Sequence, residues 1–292
     1  MSVNLISISG KIGSGKDTVG KIIQYLTTVP DSSTQEFINR HILRDDSLVK
    51  PKFEIKKFAG KLKQIVSLLT GIPVGDLEKQ EVKGRVLGEE WDRYLLKEFW
   101  VNDEFAQYEN FTYFATNEDM QKYVEDMGHT DHTCAQVGKK SITVRQLLQE
   151  VGTEAMRNQI HPNCWTNALF ADYKPIGDNL LEGEVRKVRE DDLIYPNWII
   201  TDMRFPNELE AVKDRGGITI RVNRWMGLAY RSDLSSEKSP LEHLERAKNL
   251  HPSETALDDY KDWDFVINNE GSIEELVEKV REILISLKLI EK

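Results

Sequence analysis

The chain has 292 residues, with 39 Lys and Arg against 49 Asp and Glu and a formal net charge of −10. That length allows one large domain with insertions, or two domains, and the acidic balance argues against a sequence-independent grip on DNA or RNA. Two cysteines, Cys134 and Cys164, give no disulfide framework, and no stretch nears the roughly 18 apolar residues of a membrane span, so a cytoplasmic protein with no membrane partner is the expectation.

Residues 3–9 read as a buried parallel strand, and residues 15–28 as a helix with Val19, Ile22, Ile23 and Leu26 inward. Between them, Gly10, Gly15 and Lys16 fit the phosphate-loop pattern G-x-x-x-x-G-K, with Gly13 and Ser14 inside it. Glycines let the loop's N–H groups turn inward, the helix start adds positive partial charge, and Lys16 adds a full charge for β/γ-phosphates. The residue after the lysine is commonly Ser or Thr, whose hydroxyl ligates Mg²⁺. Here it is Asp17, with the hydroxyl one place on at Thr18, so Asp17 either holds Mg²⁺ through a water or faces away.

Residues 29–52 read as a polar, irregular loop opened by Pro30, Asp31, Ser32 and Ser33. Residues 53–58 alternate as a second strand, and Ala59 to Leu69 has helical spacing that stops at Gly71. Residues 72–140 mix aromatics, among them Trp91, Tyr94, Trp100 and Tyr113, with many acids, and are expected to be a partly helical insertion whose aromatics pack rather than stack on bases. Its His129-Thr130-Asp131-His132-Thr133-Cys134 run has no paired-cysteine motif to complete a zinc site and is read as not binding metal.

Thr143 starts a helix with Val144, Leu147, Leu148 and Val151 on one side, which Gly152 ends or bends; further helices are expected at 154–160 and 165–173, and a surface loop at 174–193. Residues 198–201 form a core strand ending at Asp202, followed by a helix over 207–215 closed by Gly216-Gly217, a strand over 218–222, a polar stretch over 223–262 and a strand over 264–268. Ser272, with Glu275 three residues on, opens the last helix. This alternation predicts an α/β fold: a phosphate-loop core with a parallel sheet flanked by helices, plus the helical insertion and a lid segment, in one domain over residues 1–292. Ligand should lie at the carboxyl ends of the strands, where Gly10 and Asp202 fall. Asp202, Arg204 and Glu208 make D-x-R-x-x-x-E at a strand tip, where Asp202 can hold a Mg²⁺-bound water and Arg204 can fork onto phosphate.

The order of these pieces resembles the deoxynucleoside monophosphate kinases of T4-like bacteriophages. The resemblance begins with Ser14 to Thr18 and continues through Phe58-Ala59-Gly60 to Lys63, Val144-Arg145-Gln146-Leu147, Gln149, Gly152-Thr153, and Trp165 with Ala171-Asp172-Tyr173. It then takes in Asp202, Arg204 and Glu208, His251-Pro252-Ser253-Glu254, and Val266 to Ser272 followed by Glu274-Glu275-Leu276. It implies transfer of the ATP γ-phosphoryl to a deoxynucleoside monophosphate in the host cytoplasm, with small nucleotides as partners. Mg²⁺ is the implied cofactor, and a homodimer is left open.

The resemblance also implies that Arg145, Gly152, Thr153 and Trp165 line the acceptor site. Each has a structural alternative: a surface ion pair for Arg145, a core position for Trp165, a helix cap for Thr153 after Gly152. Lys16, Asp202 and Arg204 are the expected catalytic residues, and Arg224, Arg231, His251 and Glu254 are candidates on a closing segment over 224–262. Two other functions stay open. One is a phosphate-loop kinase for another small acceptor, with Asp202 as base toward a hydroxyl; the other is a nucleotide-binding switch that transfers nothing.

Overall fold

The structure is a computed structural model that describes residues 3–43, 50–101, 107–114, 116–127, 133–176, 193–224 and 254–291. The chain divides into two compact units, one of residues 1–61 with 161–292, the other of residues 62–160.

The first unit is built on a parallel five-stranded sheet. In chain order its strands are β1 (Leu5–Ser9), β2 (Glu54–Lys56), β6 (Trp198–Met203), β7 (Ile218–Asn223) and β8 (Phe265–Asn268); in space they run β2-β6-β1-β7-β8. All pairings are parallel, with Leu5 opposite Trp198 on one side of β1 and Ile6 opposite Ile218 on the other. β1 is therefore covered on both faces, and all five of its residues are buried. Its two serines pair inside the sheet: Ser7 Oγ donates to Met203 Sδ at 3.3 Å, and Ser9 Oγ accepts from Arg221 at 3.1 Å.

Helix α1 (Lys16–Thr28) lays Val19, Ile22, Ile23 and Leu26, all 0% exposed, onto the sheet. Each such burial contributes about 1.5–3 kcal/mol, which outweighs the few tenths lost by placing a β-branched residue in a helix. Residues over 29–52, expected to be loop, contain helix α2 (Thr34–Leu43). Its Phe37 and Ile38 reach the core beside Tyr25, so tertiary burial overrides the turn signals at Pro30 to Ser33. The final helix α9 (Ile273–Ser286) buries Leu276, Val277, Val280 and Leu284, and Ser272 caps it by accepting from the Glu275 N–H. On the other face, Phe58, Trp198, Ile200 and Met203 pack with Leu209 and Val212 of α8 (Pro206–Lys213), Leu169 and Phe170 of α7 (Cys164–Phe170), and Leu257.

The second unit holds most of α3 (Ala59–Thr70), the short α4 (Gln80–Lys83), and an antiparallel sheet of β3 (Arg93–Val101), β4 (Gln107–Phe114) and β5 (Thr133–Lys140), in the order β4-β3-β5. The expected partly helical insertion has one longer helix, α5 (Asn117–Met127), but its aromatic-rich stretch is strand rather than helix. Interspersed aromatics and charges suit a pleated two-sided ribbon, where every second residue faces the same way. Residues 128–132, with the two histidines of the His129–Cys134 run, lie outside the described residues.

Helix α6 (Val144–Gln149) opens with a full capping box: Thr143 accepts from the Gln146 N–H while the Gln146 side chain accepts from the Thr143 N–H. Gly152 does not end it, because the chain continues as a π-helix over Glu150–Ile160. Gly152 is needed for closeness instead. A Cβ there would sit 2.9 Å from Leu62 Cδ2 of α3. Thr153 lies inside the π-helix and is not a cap.

Candidate active site

Because the strands of the first sheet are parallel, their carboxyl ends share one edge. The residues just past those ends are Lys57 after β2, Gly10 to Gly15 after β1, Arg204 after β6, Arg224 after β7 and Asn269 after β8. The phosphate loop therefore emerges where β1 stands between β6 and β7, and charged residues of neighbouring strands rise beside it.

The loop is held from several sides. Gly15 has φ +93°, a left-handed conformation that glycine adopts without strain. Asn269 packs over it: its side-chain amide donates to the Ser14 carbonyl at 2.8 Å, and a Cβ on Gly15 would come within 2.4 Å of Asn269 Nδ2. Gly13 also has positive φ, at +78°. At Gly10 a Cβ would meet Ser14 Oγ at 2.4 Å and the Val222 carbonyl at 2.6 Å, so the loop closes tightly on β7. Among the described residues the buried Ser14 hydroxyl has no hydrogen-bond partner, an orphaned donor within the loop.

Lys16, 7% exposed, folds its side chain back over the loop, and its Nζ donates to the Lys11 carbonyl at 3.4 Å. Burial holds its pKa below the ordinary lysine value; Arg204 pushes the same way, and Asp17, Glu254 and Asp202 oppose. These five groups thus form one electrostatic cluster. Asp17 Oδ1 accepts from the Thr201 hydroxyl at 3.0 Å and pairs with Lys57 at 3.3 Å. The Asp17 side chain is 60% exposed, so desolvation opposes its charge only in part, and Lys57, Thr201 and Lys16 hold its carboxyl below the usual value.

Asp202 has a role its strand-tip position does not reveal. Oδ1 accepts the Phe58 N–H at 2.7 Å and Oδ2 the Ala59 N–H at 3.0 Å, so the carboxylate satisfies backbone donors where the chain leaves β2 and ties Phe58 and Ala59 to the end of β6. Arg204 forms an ion pair with Glu254. Its own N–H donates to Glu208 Oε2 at 2.8 Å, and Glu208, 1% exposed, also accepts from Phe205. The D-x-R-x-x-x-E spacing is thus a local brace in which Glu208 fixes the backbone that carries Arg204.

Lys57, Arg221, Asp258 and Asn269 have no individual role in the sequence reading, yet all four stand at this edge. Lys57 neutralises Asp17. Arg221 donates to Ser9 and to Asp258 at 3.0 Å, and Lys11 pairs with Asp258 at 2.8 Å. The signal for Asn269 is its place after an apolar strand and before a capped helix. Together with Gly15, Thr18, Arg224, Gly271, Ser272 and Ile273 it lines a cavity of about 240 Å³ beside the loop.

Of the expected acceptor residues, Trp165 lies in the first unit on α7 and is 3% exposed. Arg145, Gly152 and Thr153 lie in the second. Arg145 is exposed at the start of α6 and donates to Gln80 Oε1 at 2.7 Å. Arg231 and His251 fall outside the described residues, as do residues 225–253 of the closing segment and 177–192 of the expected surface loop.

A parallel α/β sheet with a glycine-rich loop between its first strand and first helix, a buried lysine in that loop and an arginine at the neighbouring strand tip define a phosphate-loop nucleotide-binding protein. The family model for deoxynucleotide monophosphate kinase matches residues 88–280, and the chain belongs to that family. The phosphate loop lies ahead of the matched stretch. Three relatives are similar at low identity. A protein of Acanthamoeba polyphaga mimivirus, provisionally named a deoxynucleotide monophosphate kinase, is 27% identical over 47% of this chain and 59% of its own length. The deoxynucleotide monophosphate kinase of Enterobacteria phage T4 is 26% identical over 64% of this chain and 58% of its own. The deoxynucleoside-5'-monophosphate kinase of Escherichia phage T5 is 25% identical over 88% of this chain and 86% of its own. The chain thus spans under two thirds of the first two relatives and most of the third. Among the described residues, no helix is long and apolar enough to cross a membrane.

Proposed function

We propose that the protein transfers the γ-phosphoryl group of ATP to a deoxynucleoside monophosphate, giving ADP and a deoxynucleoside diphosphate. The observation that carries this reading is Lys16, buried in the phosphate loop within one electrostatic cluster with Arg204 of the adjoining strand end. Family membership supports it independently.

Phosphoryl transfer asks a protein mainly for position and charge. The loop's N–H groups and the orphaned Ser14 hydroxyl offer donors to phosphate oxygens, and Lys16 offers a cation already stripped of much of its water. The cavity lined by Thr18, Arg224 and Asn269 offers a recess beside the loop for part of the donor nucleotide. Arg204 would stabilise charge on the moving group. Mg²⁺ would be held by Asp17 and Thr18 and would neutralise charge on the donor phosphates. The donor set fits that ion, because Asp17 is kept ionised and the Thr18 hydroxyl is one residue on. No general base is required, since the acceptor phosphate oxygen is already an anion. Arg145 would hold the acceptor phosphate.

The test is product identity. With γ-labelled ATP and a deoxynucleoside monophosphate, label should appear in the deoxynucleoside diphosphate. Label found only in inorganic phosphate would contradict transfer and leave an ATPase or switch.

A further inference from the structure

The carboxylate of Glu254 bridges two groups that the kinase reading assigns to phosphate. Its Oε1 pairs with the Arg204 guanidinium, and its Oε2 accepts the backbone N–H of Ile12, inside the phosphate loop, at 3.2 Å. The Glu254 side chain is only 12% exposed there. A short segment fixes it in place. Leu257, 4% exposed, is buried with Met203, Leu209 and Val212, and Asp258 pairs with both Lys11 and Arg221. One hydrophobic anchor thus holds two carboxylates against the cations and N–H groups of the loop mouth.

We propose that Glu254 is an internal counter-anion standing where the transferable phosphoryl group of the donor will sit, and that a nucleoside triphosphate must displace it. This rests on the kinase reading, in which Arg204 serves the transferring phosphoryl.

Glu254 and a donor phosphate compete for the same groups. A backbone N–H makes one good hydrogen bond, and a carboxylate and a phosphate cannot accept from it together. Two anions on one guanidinium edge also repel in a site of low dielectric. Before ATP arrives, Glu254 offsets the cost of gathering Arg204 and Lys16 within one partly desolvated cluster. When the γ-phosphate arrives it takes over that neutralisation, and the carboxylate leaves. ADP lacks the γ-phosphate and leaves the Glu254 contacts intact. Glu254 therefore weakens triphosphate binding selectively and helps expel ATP that has found no acceptor.

The experiment is a set of calorimetric Kd measurements for a non-hydrolysable ATP analogue and for ADP. The proteins are the wild type, Glu254→Gln and, as a charge control, Glu210→Gln on the exposed side of α8. Glu254→Gln is expected to tighten the ATP analogue about tenfold while ADP changes less than about twofold, the size of one charged hydrogen bond in a competition. Glu210→Gln should leave both Kd values alone. Equal tightening of both nucleotides, or loss of affinity for both, would overturn the proposal, the first marking a general charge effect and the second a structural role. If the wild type binds both nucleotides and Glu254→Gln matches it, this inference fails and the kinase reading stands. A wild type that binds neither nucleotide would overturn the kinase reading, and this inference with it.

Discussion

The side-chain amide of Asn269 donates to the carbonyl of Ser14 across 255 positions of sequence, at 2.8 Å and out of contact with solvent. This bond joins the end of the last strand to the phosphate loop, and the same amide stacks against the face of Gly15 that has no Cβ. Asn269→Ala should lose about 1 kcal/mol of stability, read as a lower urea midpoint. It should also raise the KM for ATP several-fold with the KM for the deoxynucleotide unchanged. A variant that loses stability but keeps its ATP KM would make Asn269 a fold residue only.

Lys16 should be the most costly single loss. Lys16→Ala removes the loop's own cation, and a well-placed charge at a transferring phosphoryl is worth about 3 kcal/mol or more, so kcat/KM should fall at least about a hundredfold. Its charge is already disfavoured by burial, so thermal stability should hold or rise. Equal activity in the variant would remove Lys16 from the mechanism.

Arg145 tests the acceptor side. It is exposed and partnered by Gln80 in the second unit, which on its own is what a surface arginine does. Arg145→Ala should raise the KM for the deoxynucleotide by about tenfold or more, as the loss of a charged phosphate contact does, and leave the KM for ATP alone. Unchanged kinetics would leave only the surface contact.

Asp17 gives a pH dependence with a definite sign. Partial desolvation opposes its charge, but Lys57, the Thr201 hydroxyl and Lys16 outweigh it, so the folded protein holds its pKa below the ordinary 3.8. A carboxylate with a depressed folded pKa stabilises the protein above its unfolded value and loses that contribution as pH falls through the folded pKa. The stability gap between the wild type and Asp17→Asn should therefore be level near neutrality and close as pH drops below about 4. Urea unfolding across that window checks it. A gap that stays constant in acid would mean the Lys57 and Thr201 contacts do not favour the ionised form.

Much of the nucleotide-binding core was legible in the sequence because its signals are local. β1 and β6 are apolar runs buried on both faces, α1 repeats its apolar residues at helical spacing, and Thr143 and Ser272 announce their helices through capping chemistry. Helix α2 was not legible, since its turn-like approach hides a face that gains stability only from Tyr25 and α9. The β3-β4-β5 sheet was not legible either, because mixed aromatics and charges leave no clean alternation to count. The π-helical continuation through Gly152 depends on packing against Leu62, which no local pattern records. At the site, the loop and the Asp202-Arg204 pair could be read from spacing. Their partners could not: Phe58 and Ala59 for Asp202, Glu254 for Arg204, and Asn269 for Ser14 are all distant in sequence and meet only because parallel strands end at one edge.

The most direct test of the kinase reading is acceptor-dependent ADP formation. Purified protein with MgATP would be assayed against a panel of nucleoside and deoxynucleoside monophosphates, and against none. ADP should appear at a rate set by one or more deoxynucleotides and fall to background without them. ADP formed at the same rate with and without acceptor, or tight ATP binding with no turnover on any member, would contradict the kinase reading.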